Sequence, residues 1–238
     1  MSTSAKQNKN ASADEQLRVE FNEWARAGKG DSMETGHRPV GEQAIARMNV
    51  APASEILDIG CGSGWAARLL AERSGGGHVV GIDVSDEMIR VAREQSSTLA
   101  NIEFRVASAE NLPFPDNTFT HAFSMESLYY YADIAKALRE IARVLQPGGL
   151  FVTVVDLYEE NRPTHQWIEM LKVPVQLLSA AQYRSLFQAA GFTNLHDERL
   201  LDPRPVSDSY TSGSFKTRAD FVEYRRNGSL MITAQKSD

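Results

Sequence analysis

Three features of the sequence predict an α/β fold. From residue 54 onward, stretches with the apolar character of buried strands alternate with stretches of helical period, the pattern of a mostly parallel sheet covered on both faces. The first strand runs directly into Gly60, Gly62 and Gly64 and then into a helix. The last two strands lack a normal crossover helix, which implies an antiparallel pair at one sheet edge. Together they predict a Rossmann-like, seven-stranded, mostly parallel sheet with an antiparallel edge strand, helices on both faces and an N-terminal helical lid.

Residues 1–13 are rich in Ser, Asn, Lys and Ala without an apolar period, and are expected to form a disordered tail. Residues 14–50 read as the lid. Leu17, Phe21 and Trp24 recur at helical spacing until Gly28-Lys29-Gly30, and Pro39 is expected to open a second helix that turns Val40, Ala44 and Met48 toward the core. Two helices ahead of the first strand are unnecessary for a nucleotide fold and suit a cover over a pocket. Trp24, Met33 and His37 are candidates for that cover, although ordinary packing accounts for each.

Residues 51–238 form the main domain. Ile56, Leu57 and Ile59 suit a buried strand, and the helix that follows, with Trp65, Arg68, Leu69 and Glu72, stops at Ser74-Gly75-Gly76-Gly77. Residues 78–83 are the second strand, and Ser85 caps a helix presenting Met88, Val91 and Ala92 to the sheet. Residues 102–106 alternate as a third strand, a loop with two prolines follows, and residues 119–125 make the fourth. Asp133 caps a helix with Ile134, Leu138, Ile141 and Leu145, and Pro147-Gly148-Gly149 turns into an apolar fifth strand over 150–155. A helical insert is expected at 161–171, a helix from Ser179 to Gly191, and strands at 192–201 and 229–236. A long loop over 202–210 and a short helix near 217–226 join those last two strands.

At 238 residues and 42% hydrophobic, the chain can bury one substantial core. A formal charge of −6 argues against duplex nucleic acid, whose phosphates need a basic face. The single cysteine, Cys61, excludes an internal disulfide and a cysteine metal cluster, and inside the glycine turn it reads better as a small inward side chain than as a nucleophile. No apolar run approaches the roughly 18 residues of a membrane span, and no secretory signal is evident, so a cytoplasmic protein is expected. Nothing in the sequence indicates an oligomeric state.

The glycine turn carries the chemistry. Glycine tolerates positive φ and lets a ligand lie against bare backbone, and a strand, glycine turn and helix N-terminus together suit the polar end of a nucleotide-like ligand. Asp83 ends the second strand 19 residues after Gly64, the spacing of a carboxylate that reaches ribose hydroxyls. Read alone, Asp83 serves equally well as a turn cap. Joined to the glycine turn, it favours a ligand.

With these motifs the chain resembles the class I S-adenosylmethionine-dependent methyltransferases, in particular the small-molecule branch that includes the ubiquinone and menaquinone C-methyltransferases. The resemblance spans roughly residues 54–236 and rests on segments 57–64, 81–85, 109–119 and 145–150 in order, with the reversed C-terminal pair. It implies S-adenosylmethionine as cofactor and S-adenosylhomocysteine as product. Within the motif that ends at Gly64, Gly60, Cys61 and Gly62 would offer backbone to the methionine end, and Asp58 would support its ammonium directly or through water. Asp83 would take the ribose hydroxyls, Val84 and Met88 would pack on adenine, Ser108, Ala109 and Glu110 would meet its edge, and Met125 would approach the sulfonium. Ser108 stands where the family often has Asp, which weakens one contact to the adenine amino group.

The acceptor would enter past the fourth strand, beside Glu126 and Tyr129-Tyr130-Tyr131, with His37 and His165 as alternative bases. The resemblance implies a small-molecule acceptor methylated on carbon, nitrogen or oxygen by in-line displacement. Ser124-Met125-Glu126-Ser127 lacks the Asn/Asp-Pro-Pro-aromatic signature of nucleobase and glutamine amino-methylation. No Asp/Asn/His cluster marks a metal, so metal-free transfer is expected. Two alternatives compete. Gly62-Ser63-Gly64-Trp65-Ala66-Ala67 fits the relaxed fingerprint of an NAD(P)-dependent oxidoreductase, against which stand the early Gly60 and Asp58. A non-catalytic scaffold that retains the cofactor site is the other.

Overall fold

The computed structural model describes residues 12–206 and 213–237. Seven strands, β1 (Glu55–Ile59), β2 (His78–Asp83), β3 (Ile102–Val106), β4 (Phe119–Met125), β5 (Leu145–Val155), β6 (Phe192–Leu200) and β7 (Ser229–Lys236), form one sheet in the order β3-β2-β1-β4-β5-β7-β6. Neighbours from β3 to β5 are parallel, while β7 runs antiparallel to both β5 and β6. The reversed strand therefore lies one place in from the edge.

Side chains alternate across the sheet as a pleated strand requires. Leu57 and Ile59 join a core shared with Leu138, Ile141, Tyr183 and Phe187, from α5 (Ile134–Val144) and α6 (Ala180–Ala189). Ile56 points the other way, into a second core with Ile45, Trp65, Leu70 and Ile89, from α2 (Lys29–Ala46), α3 (Trp65–Arg73) and α4 (Asp86–Gln95). Helices thus cover both faces. The helix before them, α1 (Ala13–Arg26), is pinned to the start of α4. There Asn22 donates to Asp86 Oδ1 at 2.9 Å and accepts from Ser85 Oγ at 2.6 Å.

The second N-terminal helix departs from the sequence reading. It begins at Lys29, directly after a left-handed Gly28 at φ 70°, so Pro39 lies inside the helix instead of opening it. An internal proline has no N–H for the carbonyl four residues back, here Thr35. Arg204 supplies the missing donor, with its guanidinium 2.9 Å from the Thr35 carbonyl and 3.1 Å from that of Gly36.

Smaller differences follow from local geometry. Strand β5 begins at Leu145, and Pro147-Gly148-Gly149 is an irregularity within it, where the register with β4 breaks between Phe119 and His121. The insert expected at 161–171 is a single 3₁₀ stretch, Arg162–Trp167. Ala13, assigned to the tail, is the first residue of α1, capped by Ser12, and the rest of that tail lies outside the described residues, as does part of the 202–210 loop. The last helix, α7 (Arg218–Asn227), is capped by Thr217. Among the described residues, no helix is long and apolar enough to cross a membrane.

Candidate active site

A cleft of about 850 Å³, counted to its open mouth, runs over the C-terminal ends of β1, β2 and β4 and is lined on its other side by α1 and α2. Its floor is the glycine turn, and the three glycines do different work. A Cβ on Gly60 would stand 2.4 Å from Ser127 Cβ, and one on Gly64 would meet the Phe104 ring at 2.8 Å, so both are required for packing. Gly62, at φ 52°, has nothing within 4 Å of that position and faces open space. It lines the cleft with Gly60 and Cys61, whereas Gly64 does not.

The turn is fastened to β2. The N–H groups of Gly60 and Cys61 both donate to the Ile82 carbonyl at 2.9 Å, and that of Gly62 donates to Asp83 Oδ2 at 3.0 Å. Asp83 Oδ1 accepts from the Ser85 N–H at 2.9 Å, and burial holds this carboxyl above its ordinary range. The Cys61 thiol is buried, and its burial, with Asp58 and Asp83 nearby, pushes its pKa up, which suits a packed side chain and not a nucleophile.

Asp58 is 2% exposed, behind the turn and off the cleft wall, and its Oδ2 has no hydrogen-bond partner among the described residues. Burial first, then the charge of Asp83, pushes it up to about 7, against the opposing backbone N–H of Ala67. A buried acid with an unused oxygen, beside a glycine with no Cβ over open space, fits the aminocarboxylate end of S-adenosylmethionine.

Val84, Met88, Ser108 and Ala109 line the side expected to hold adenine, and Met125 and Trp65 line the middle. Glu110 turns away: its Oε1 accepts from the Asp133 N–H at 3.0 Å, at the start of α5. Ser108 Oγ accepts from the Glu110 N–H at 3.2 Å, which shapes the loop.

The far end is built around Glu126, whose φ of 55° is left-handed, a conformation costing a non-glycine residue roughly 1–3 kcal/mol. Its Oε1 accepts from the Asp156 N–H at 2.5 Å and its Oε2 from the Tyr129 hydroxyl at 2.8 Å. Burial, reinforced by Asp156, raises its pKa well above the carboxylate range. The three tyrosines diverge. Tyr129 is spent on Glu126, Tyr130 lines the cleft edge-on to Phe21 with ring centroids 5.1 Å apart, and Tyr131 lines it with its hydroxyl 2.8 Å from Ser127 Oγ.

From α2, Met33 and His37 line the cleft, and burial lowers the His37 pKa against the opposing charge of Asp156. Trp24 does not reach the cleft; its indole N–H donates to Glu20 at 2.7 Å. Nor is His165 brought there, its Nε2 lying 3.3 Å from the Tyr158 carbonyl.

Asp156 is the main residue that sequence reasoning missed. It follows the last residue of β5, is 2% exposed, and accepts from the Tyr224 hydroxyl at 2.7 Å while its Oδ1 has no partner among the described residues. One ligand-capable atom from each of His37, Glu126 and Asp156 lies within 4.8 Å of the other two. Asp156 also lines a second pocket with Trp167, Phe215 and Tyr224, which meets the cleft at Met33 and His37. The available signal was its position at the carboxyl end of a central strand, where ligands bind in such sheets.

The family described as a methyltransferase domain matches residues 57–153. The chain is 31% identical over 194 residues to a demethylmenaquinone methyltransferase of Lactiplantibacillus plantarum, covering 69% of this chain and 81% of that protein. It is 31% identical over 170 residues to phosphoethanolamine N-methyltransferase 1 of Arabidopsis thaliana, covering 71% of this chain but 34% of that one. Among solved structures, a protein in complex with the Haloferax volcanii Trm112 methyltransferase activator superposes with a TM-score of 0.86 at 35% identity, over 92% of this chain and 98% of that one.

Proposed function

The chain belongs to the S-adenosylmethionine-dependent methyltransferases, and from that membership we propose that it methylates a small molecule seated at the Glu126–His37 end of the cleft. One observation carries the reading: the cleft is continuous from Asp83, across the bare backbone of Gly60 and Gly62, to Glu126 at the tip of β4. On this reading its residues would divide into a sugar end, a middle and an acceptor end.

S-adenosylmethionine supplies a methyl group already activated by its sulfonium. The chain's own task is to hold, align and exclude water. Asp83 would take the ribose hydroxyls, Asp58 would support the ammonium from behind the turn, through water, and Val84, Met88, Ser108 and Ala109 would take the adenine. Met125 and Trp65 would wall the middle. Leu17, Phe21 and Tyr130 cover the cleft from α1 and the β4 tip, which supports a lid function for the N-terminal helices. Glu126 and His37 orient the acceptor, and fixing two reactants in line is worth roughly 7–11 kcal/mol of a barrier.

The two relatives above share the same 31% identity with this chain, although it spans 81% of the first and 34% of the second, and they carry names with different acceptors, so membership leaves the accepting atom open among carbon, nitrogen and oxygen. Asp58 and the early Gly60 favour this cofactor over NAD(P). The Trm112-bound relative supports a complex with an activator of that type; co-expression and gel filtration test it, and separate elution counts against it.

The test of the cofactor reading is calorimetry and melting with S-adenosylmethionine, S-adenosylhomocysteine and NADH in turn. A ligand that binds only the folded chain raises its melting temperature. The first two should stabilise and NADH should not; stabilisation by NADH alone reverses the assignment. Cofactor binding without methyl loss across a broad acceptor panel would favour the scaffold.

A further inference from the structure

At the end of the cleft away from Asp83, three side chains from separate segments converge: His37 of α2, Glu126 after β4 and Asp156 after β5. No motif announces this set, because its members are scattered along the chain, and that is why metal-free transfer was the expectation from sequence. We propose that His37, Glu126 and Asp156 bind a divalent cation of the Mn²⁺ or Zn²⁺ class on the acceptor side of the cleft.

The geometric basis is the convergence of one donor atom from each residue within 4.8 Å of the others. An independent observation is Asp156 Oδ1, buried on a residue 2% exposed and lacking any donor among the described residues. A buried carboxylate oxygen without a donor carries its full desolvation cost, and a cation removes that cost. Glu126 adds to the case. It brings a second carboxyl oxygen to within 4.8 Å of one of Asp156, an arrangement of like charges that a cation between them relieves.

The donor types narrow the class. Mg²⁺ and Ca²⁺ prefer oxygen alone, whereas one imidazole nitrogen with two carboxylates suits Mn²⁺ or Zn²⁺. Outer partners of the kind that orient metal ligands are already in place, with the Tyr129 hydroxyl on Glu126 and the Tyr224 hydroxyl on Asp156. Three protein ligands leave positions open, and His37 lines both the cleft and the second pocket, so those positions face the acceptor. On the methyltransferase reading, the acceptor class is then a molecule that presents an oxygen donor to the ion. Cation binding itself does not depend on that reading.

The experiment uses the full chain stripped with EDTA. Melting temperature is followed with MnCl₂, ZnCl₂, MgCl₂ and ethanolamine separately, and Mn²⁺ affinity is measured by calorimetry. Mn²⁺ or Zn²⁺ should stabilise more than Mg²⁺. Asp156→Asn and His37→Gln should each weaken Mn²⁺ binding by about tenfold or more, and Asp156→Asn, at a residue that does not line the cofactor cleft, should leave S-adenosylhomocysteine affinity, the report of intact folding, unchanged. No stabilisation by any ion, or equal stabilisation of Asp156→Asn, overturns the proposal. Stabilisation by ethanolamine alone also overturns it, in favour of an ammonium pocket. If Mn²⁺ binds and S-adenosylhomocysteine does not, the cation site stands and the methyltransferase reading fails, so the two failures are distinct.

Discussion

The backbone N–H of Gly62 donates to the carboxylate of Asp83 at 3.0 Å, which ties the turn after β1 to the end of β2. The two motifs spaced apart in the sequence are therefore one object. Asp83 shapes the floor of the cleft as well as lining it, and its replacement has two separable consequences.

Asp83→Ala removes the acceptor of the Gly62 N–H and up to two charge-assisted bonds to ribose, each worth roughly 1.5–3 kcal/mol. Affinity for S-adenosylhomocysteine should fall by about tenfold or much more. Asp83→Asn, which keeps an acceptor for Gly62, should lose less. Calorimetry showing wild-type affinity in Asp83→Ala would reject the ribose assignment.

Gly60 and Gly62 separate packing from binding. Gly60→Ala combines positive φ with a Cβ 2.4 Å from Ser127, so overpacking and backbone strain should together lower stability by about 2–4 kcal/mol. Gly62→Ala meets open space and should incur only backbone strain of about 1–2 kcal/mol, yet its methyl enters the cofactor's path. Urea denaturation should rank Gly60→Ala as the less stable variant. Binding by folded Gly62→Ala at wild-type affinity would place the ligand elsewhere.

Most of the sheet was legible because the apolar runs of β1, β2 and the second half of β5 close on a glycine or an acid, and four of seven strand spans agree with the sequence reading at both ends. The floor of the site was legible for the same reason: Gly60, Gly62 and Asp83 are neighbours through adjacent strands. Where sequence reasoning stopped, distant segments decide the outcome. Pro39 reads as a helix start unless Arg204 is known to satisfy the Thr35 carbonyl, and the side chain of Asp156 is held by Tyr224, far along the chain. Glu110 and His165 carry suitable chemistry but are taken up by the Asp133 N–H and the Tyr158 carbonyl.

The Arg204 contact yields a double-mutant prediction. Arg204→Ala leaves the Thr35 carbonyl without its donor and should destabilise by about 0.5–1.5 kcal/mol, with faster hydrogen exchange in α2 near Pro39. Pro39→Ala restores the intrahelical N–H. In that background, Arg204→Ala should cost less, and full additivity of the two changes would show that the guanidinium does not stand in for the missing donor.

Asp58 makes stability depend on pH in the direction opposite to a salt-bridged acid. Its folded pKa, about 7, lies above the ordinary value of 3.8, because burial and then Asp83 oppose the charged form. Folding therefore favours the protonated acid: this contribution is complete below about pH 4 and is lost as pH rises through about 7. The raised pKa of Asp83 acts with the same sign. At about 1.4 kcal/mol per pKa unit, the contribution of Asp58 to the stability of the ligand-free chain should be several kcal/mol smaller at pH 8 than at pH 4. Asp58→Asn should flatten the difference and stabilise the ligand-free chain at pH 8, while weakening S-adenosylmethionine, whose ammonium loses its counter-charge. Urea titrations of both chains at pH 5, 7 and 8 measure the effect, and parallel pH profiles for wild type and Asp58→Asn would remove Asp58 as its source.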